Sequence, residues 1–586
     1  MITASGDTTL RRQGLERRPA FADPPLIDGL VNLSHLDWLS VEVLLNGRSA
    51  LLTHIYCEAP DYGWFDAAGE GIVALDDVAR AALVYLDFWV TTGQPRALAR
   101  ARAALNFVLY MRAERGTFYN FVFDSSGDLN RTGITSVDSL DWWTCRAFWA
   151  LARGYAVFLA IDPDFAVELR AAYLVTETLL AERIGEVGRF TSKYGFDAPG
   201  WLPSDSAALA ALAALSLAEF QEAAPNALTA RLLTALADGL ASYQWGGAGA
   251  FPWGLHPHTL DAPLPWHAWG THEAQALARA GRVMARPDWV ASARREIEGF
   301  FAWQLIGGHL HALNPLPLVQ GQQAYGVNCL VQAALECYRA TGEERFAWLA
   351  GLHGSWFMGN NVAGRPLYDP VSGRGYDGID RRGEINPHAG AESTIEALLA
   401  LQAIAAVPEA RCFLDYRAQA HRSWYALPLL AVEGESAAQD TEQVWQRSDD
   451  GTAIEWHFTV AATGEYLLFL GTRSGEGASL LPPLTLTLDE QGPWSSIPIA
   501  GERQHPWLDL LTPVPVSLDA GRHRCRLTVT NGAGTADLRG LAGLLVQEVR
   551  ATQQFVGVDG TTVTLSLNMQ TGALDFSRQY VDCDRR

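Results

Sequence analysis

The chain has 586 residues, 48% hydrophobic and 19% charged. That is too long for one compact core and too apolar for extensive disorder, so two or more folded domains are expected. Its 44 basic and 65 acidic residues leave a net charge of −21, which argues against nucleic acid and against anionic membrane surfaces, both of which would repel it.

The first 28 residues, "MITASGDTTLRRQGLERRPAFADPPLID", read as a flexible arm without the apolar stretch of a secretion signal. No run of about 18 apolar residues follows anywhere, so no membrane-spanning helix is expected. The seven cysteines are scattered and include no CxxC pair, as suits reduced thiols in a cytoplasmic protein.

From residue 29 to 431 the chain reads as helices. Six segments share a polar start and a small-residue apolar body: "LDDVARAALVYLDF", "LDWWTCRAFWALARGYAVF", "SDSAALAALAALSLAEF", "THEAQALARAGRV", "VNCLVQAALECYRA" and "AESTIEALLALQAI". They recur roughly every 60 residues, a spacing that marks repeated units. A second, more charged helix follows each after a short turn such as "TTGQPR" or "IDPDF". Apolar-all-round helices belong inside and two-faced ones outside, so the pattern predicts six inner–outer hairpins closed into an all-α (α/α)6 toroid. Residues 432–443, "VEGESAAQDTEQ", read as a linker. Residues 444–586 alternate in short strands and predict an all-β, jelly-roll-like sandwich of the carbohydrate-binding-module kind, with Trp494 and Trp507 as candidate platforms.

The links from outer to inner helices are long and rich in Gly, aromatics, His and acids, and they should gather at one end of the toroid. Long loops inside a compact domain are usually functional. The last of them, "YDPVSGRGYDGIDRRGEINPHAGAEST", carries five carboxylates. Paired carboxylates perform glycosidic cleavage, one as acid and one as base or nucleophile. Asp377 and Asp380 form the first candidate pair, with Glu392 as a third acid and Asp77 and Glu273 as acids on the opposite wall. Trp142, Trp143, Tyr194, Trp266, His267, Trp269, Tyr376 and His388 are the candidate sugar-lining residues. "HPH" and "HLH" lack a third ligand at fixed spacing, so they read as hydrogen-bonding histidines rather than a metal site. No cofactor motif occurs among the phosphate- and dinucleotide-binding signatures.

Two stretches, "EGIVALDDVARAALVYLDF" and "FMGNNVAGRPLYDPVSGRGYDGIDRRGEINPHAGAESTIEALLAL", resemble a family of uncharacterised six-hairpin glycosidase-like proteins and the helical domains associated with sugar glycosyltransferases. With "FYNFVFD" and "WWTCRAFWAL" the similarity spans most of 40–405. On that resemblance Asp76, Asp77, Tyr376, Asp377, Glu392 and Ser393 fall on motif positions, whereas "NPHAGAEST" departs from the pattern at His388 and Ala389. The resemblance implies a glycoside hydrolase, inverting by analogy, acting on an oligosaccharide or glycoconjugate. The alternatives are a sugar epimerase using His267 and His388, a polysaccharide lyase drawing on Arg374, Arg381 and Arg382, a terpene cyclase, and a glycan-binding protein without activity.

Overall fold

The computed structural model describes residues 26–27, 29–66, 69–193, 196–247, 249–260, 266–313, 316–419, 423–428, 445–447, 453–472, 484–489, 491–495, 508–510, 515–529 and 541–579. The expected arm, the 432–443 linker, Tyr194, Trp507 and the side chain of Trp494 lie outside them.

The inner helices are α1 (Leu75–Thr92), α3 (Trp142–Phe158), α5 (Ala207–Ala223), α7 (Glu273–Val283), α9 (Ala324–Thr341) and α11 (Ala391–Ala405). Their outer partners are α2 (Pro95–Tyr110), α4 (Pro163–Arg183), α6 (Ala227–Ser242), α8 (Pro287–Glu296), α10 (Glu344–Gly354) and α12 (Pro408–Arg411). Each outer helix packs on the inner helix before it. Each inner helix packs on the next inner one, and α11 packs back on α1, so the packing order is cyclic.

The sequence supplies the stops and starts. Gly93 ends α1 in the left-handed region, where glycine carries no side-chain penalty. Asp162 and Asn226 cap α4 and α6 by accepting from backbone N–H groups, and Pro stands in the first turn of α2, α4 and α8. In α5 the run Ala207–Phe220 is buried on every face, as an inner helix requires.

The long links join one another. Trp266–His267 of one pairs with Ala312–Leu313 of the next, and Leu313 pairs onward with Pro317. The Ile379 amide donates to Gln322, and Ala389 and Ala391 donate to Cys57 and Ile55. The links therefore form a connected rim at the end of the bundle where the inner helices begin.

Among the described residues two five-stranded sheets and one four-stranded sheet follow. The five-stranded sheets share a core that includes Tyr425, Phe458, Leu486, Leu527 and Val546. The chain enters these sheets before the expected boundary at 431: Arg417–Ala418 pairs with the four-stranded sheet, and Trp424–Pro428 pairs with a five-stranded one. Leu467, Phe469, Leu545, Phe555, Val563 and Leu565 belong to the same hydrophobic core as the helices. The Trp303 indole donates to Gln547 Oε1 at 2.7 Å, and the Trp253 indole donates to the Met569 carbonyl at 3.2 Å.

Candidate active site

Inner helices place polar side chains one turn apart at their first turns, inside otherwise apolar faces. α1 contributes Asp76, Asp77 and Arg80; α3 contributes Trp142 and Arg146; α9 contributes Tyr325 and Asn328; α11 contributes Glu392 and Glu396. A spacing of three or four residues puts these groups on one helical face, and the cyclic packing turns those faces toward one another.

Arg80 is the hub. Its Nη2 lies 2.7 Å from Asp76 Oδ2, 2.7 Å from Asp77 Oδ1 and 3.3 Å from Glu392 Oε2, while Nη1 lies 2.6 Å from Glu396 Oε1. Glu396 also accepts from Asn328 Nδ2 at 2.6 Å. Arg146 Nε lies 3.5 Å from Asp76 Oδ1, and its Nη2 donates to the Tyr325 hydroxyl. The Tyr325 hydroxyl also lies 3.5 Å from His272 Nε2. Four carboxyl groups thus meet two guanidinium groups, and they cannot all carry charge cheaply.

The proton load falls unevenly. Burial pushes Asp77 up to about 7; Arg80 opposes this, and Asp76 and Glu392 add to it. Desolvation likewise raises Glu392 against the pull of Arg80, with Glu396 and Asp76 reinforcing the rise. Yet 49% of the Glu392 side chain is exposed, against 1% for Arg80. Glu392 therefore looks into a recess that water reaches while protein surrounds it. Asp76, at 22%, shares that recess. Tyr56 is raised by burial and by Glu70, Asp77, Glu392 and Asp377 in turn, so its hydroxyl stands where acids of the rim and of the helices converge.

Trp142 is the half-buried aromatic beside this cluster. Its ring packs on Gly270, where φ is +76° and a Cβ would come 2.6 Å from the indole and 3.3 Å from the Tyr325 hydroxyl. Glycine there satisfies both the backbone and the close approach.

The sequence-predicted residues fall in several places. Asp77 and Glu392 meet on Arg80. Asp377 lies beside them, but its Oδ1 accepts from the Ser393 hydroxyl at 2.9 Å and the Gly390 amide at 3.4 Å, fastening the last link to the start of α11. Asp380 is on an exposed turn, where its Oδ1 accepts from the Arg382 and Glu384 amides at 2.8 and 2.9 Å. Glu273 is fully buried, and neither carboxyl oxygen has a hydrogen-bond partner among the described residues. Burial and the nearby Glu296 hold it well above the usual carboxylate range. Trp143 and Trp266 are buried as well, their indoles donating to the Phe118 carbonyl and to Thr271 Oγ1. His267 and Trp269 form a half-buried aromatic group with His311 and the buried His258. Tyr376 is half-buried near Tyr62, and His388 Nδ1 accepts from the Ala59 amide at 3.1 Å.

Arg80, Arg146, Tyr325 and Glu396 are not among the sequence-predicted residues. For Arg80, Arg146 and Glu396 the signal was present: charged residues four positions after Asp76, Trp142 and Glu392 inside apolar helices, where only a paired group is tolerated. Among the described residues no group of three or more His, Cys, Asp or Glu is placed to hold a metal ion, and no helix is long and apolar enough to cross a membrane.

No protein-family model and no curated protein matches this sequence. Solved structures similar to it include a cellobiose 2-epimerase from Bacillus thermoamylovorans (10% identity, TM-score 0.47, covering 65% of this chain and 97% of that one). Another is a sugar epimerase from a ruminal bacterium (12% identity, TM-score 0.44, 61% and 92%). A third is an inactive α-1,6-mannanase variant from Salegentibacter sp. with α-1,6-mannotriose bound (11% identity, TM-score 0.41, 57% and 90%). All three TM-scores lie below 0.5.

Proposed function

We propose that the protein is a carbohydrate-active enzyme on an (α/α)6 toroid that cleaves a glycosidic bond with paired carboxylates. The observation that carries this reading is Glu392, a half-exposed carboxyl with a raised proton affinity, beside Asp76 on the same guanidinium. A raised proton affinity suits a carboxyl to protonating a leaving oxygen. Glu392 is the proton donor to the leaving oxygen, Asp76 is the acceptor or nucleophile, and Arg80 fixes both. Trp142 offers a ring face for the sugar. An inverting course needs carboxyls some 6.5–9.5 Å apart. The nearest oxygens of Asp76 and Glu392 both lie within 3.3 Å of one nitrogen, closer together than an inverting course requires.

The test is incubation with a broad panel of oligosaccharides, following new reducing ends. Cleavage that Glu392→Gln and Asp76→Asn each abolish in folded protein supports the assignment. Cleavage that survives both changes overturns it, and a panel left wholly uncut overturns the hydrolase reading.

A second reading, a sugar epimerase, is favoured by the histidines. Burial lowers His267 to about 4 and His272 to about 3, so both imidazoles are neutral near pH 7, while the same burial weakens them as proton acceptors. A sugar that changes configuration without a new reducing end would select it. The β region is proposed as a sandwich that braces the helices, since one face of it is already spent on their core.

A further inference from the structure

Glu392 and Glu396 stand one turn apart on α11, and both meet Arg80. Like charges at that spacing repel. The two carboxyls are held differently. Both oxygens of Glu396 are occupied: Oε1 accepts from Arg80 Nη1 at 2.6 Å, and Oε2 accepts from Asn328 Nδ2 at 2.6 Å. Asn328 is steadied in turn, since its Oδ1 accepts from Gln332 Nε2 at 3.2 Å. Glu392 meets Arg80 at 3.3 Å, the longest of the four carboxyl contacts of that guanidinium. Hydrogen bonds to a carboxylate favour its charged form. The cluster therefore puts the charge on Glu396 and leaves the proton for Glu392.

The other groups facing Glu392 come from three sides. Burial raises its proton affinity most; Arg80 opposes this, Glu396 and Asp76 add to it, and Arg146 on α3 opposes it. Asp77 shares Arg80, and the Tyr56 hydroxyl stands among Glu70, Asp77, Glu392 and Asp377 at the rim. Of the two acids that raise Glu392, Asp76 is 22% exposed and Glu396 1%. Solvent screens the first. The second is a charge removed from water, where its effect on a neighbour is strongest.

We propose that Glu396 is a positioning residue: as a buried carboxylate that engages one side of Arg80, it keeps the proton on Glu392, ready for donation to the leaving oxygen. Asn328 holds Glu396 in that role. The inference rests on the reading of Glu392 as the proton donor, but the proton can be followed without turnover.

The test is urea unfolding of the full chain at several values from about pH 4 to about pH 8. It compares the parent, Glu396→Gln, Glu396→Asp and Asn328→Leu, each with and without Glu392→Gln. A carboxyl that binds its proton more tightly folded than unfolded adds stability below its unfolded value and loses it as pH rises. The parent should therefore lose stability relative to its Glu392→Gln counterpart across that range. Glu396→Gln should shrink the loss by about 1.4 kcal/mol, a tenfold fall in the proton affinity of Glu392. Glu396→Asp keeps the charge and should restore most of the loss. If Glu396→Gln does not fold, Asn328→Leu, which leaves the buried carboxylate one donor in place of two, should still lower that affinity about threefold. A loss of equal size in every background overturns the proposal, because a merely structural Glu396 would change stability alike at every pH. So does a parent without the loss, or a loss that Glu396→Asp shrinks as far as Glu396→Gln does. Oligosaccharide cleavage is followed separately by reducing ends. An uncut panel beside a shrunken loss removes the hydrolase reading and leaves the Glu396 effect on the Glu392 proton standing.

Discussion

Arg80 on the first inner helix and Glu396 on the last are joined Nη1 to Oε1 at 2.6 Å, with each side chain 1% exposed. The pair ties together helices 316 residues apart in sequence, at the point where the cyclic packing closes. Removing one member of a buried pair leaves a charge without compensation, typically at a cost of about 3–5 kcal/mol. Arg80→Leu should reach that range, because four carboxyls lose their shared cation. Glu396→Gln should cost less, since Arg80 keeps Asp76, Asp77 and Glu392. Denaturant unfolding of the two variants gives the order, and an equal or reversed order would contradict the hub role.

The candidate acids separate by what already occupies them. Asp380 spends its carboxylate on two backbone amides of an exposed turn, so Asp380→Asn should leave turnover within about twofold and cost at most about 1 kcal/mol of stability. On the proposed assignment of Glu392 as proton donor, Glu392→Gln should lower kcat by about a thousandfold or more with little change in unfolding midpoint. Steady-state kinetics on whichever oligosaccharide is cut compares them directly.

How far the sequence could be read follows from the same physics. Apolar-all-round segments alternating with two-faced ones marked the hairpins, because burial demands that pattern. The acid-rich last link was visible too, but three of its five acids divide into a turn cap (Asp380), a link fastener (Asp377) and a half-exposed acid paired with Arg80 (Glu392). Residue type and spacing do not separate those roles. Arg80, Arg146 and Tyr325 acquire their meaning only when helices distant in sequence face one another. Trp143 and Trp266 are buried, and an indole's preference for a core or for a ligand leaves no mark in its neighbours.

Stability should depend on pH through Asp77. Burial raises it from 3.8 to about 7, so the folded state holds this proton more tightly than the unfolded state. The contribution is complete below the unfolded value and is lost as pH rises through about 7. Buried histidines act in the opposite sense: burial lowers His309 to about 4 and His272 to about 3, so their contribution is present above the ordinary histidine value and is lost as pH falls. The two trends overlap, and the total profile does not isolate either. The difference between the parent and Asp77→Asn does. The parent should lose stability relative to the variant as pH goes from about 4 to about 8, measured by urea unfolding at each pH. A difference that stays flat would place the raised proton affinity elsewhere.

The β region is bound to the helices through tryptophan. Trp424 is 1% exposed. It lies in the strand that pairs with Leu541–Glu548, and its ring packs on Trp303 with centroids 5.6 Å apart. At Gly307 a Cβ would come 2.0 Å from its indole nitrogen, so the end of the short helix Ala302–Gly307 is fitted to this ring. Truncating a buried indole to alanine costs about 3–5 kcal/mol through lost contacts and the cavity left behind. Trp424→Ala should therefore destabilise helices and sheets together, in one transition. Far-ultraviolet circular dichroism at a helical wavelength and tryptophan fluorescence, followed through the same denaturant series, should give coincident midpoints shifted downward in the variant. Midpoints that separate, with the helical signal unmoved, would mean that the sheets fold on their own and that the shared core does not bind the two regions into one cooperative unit.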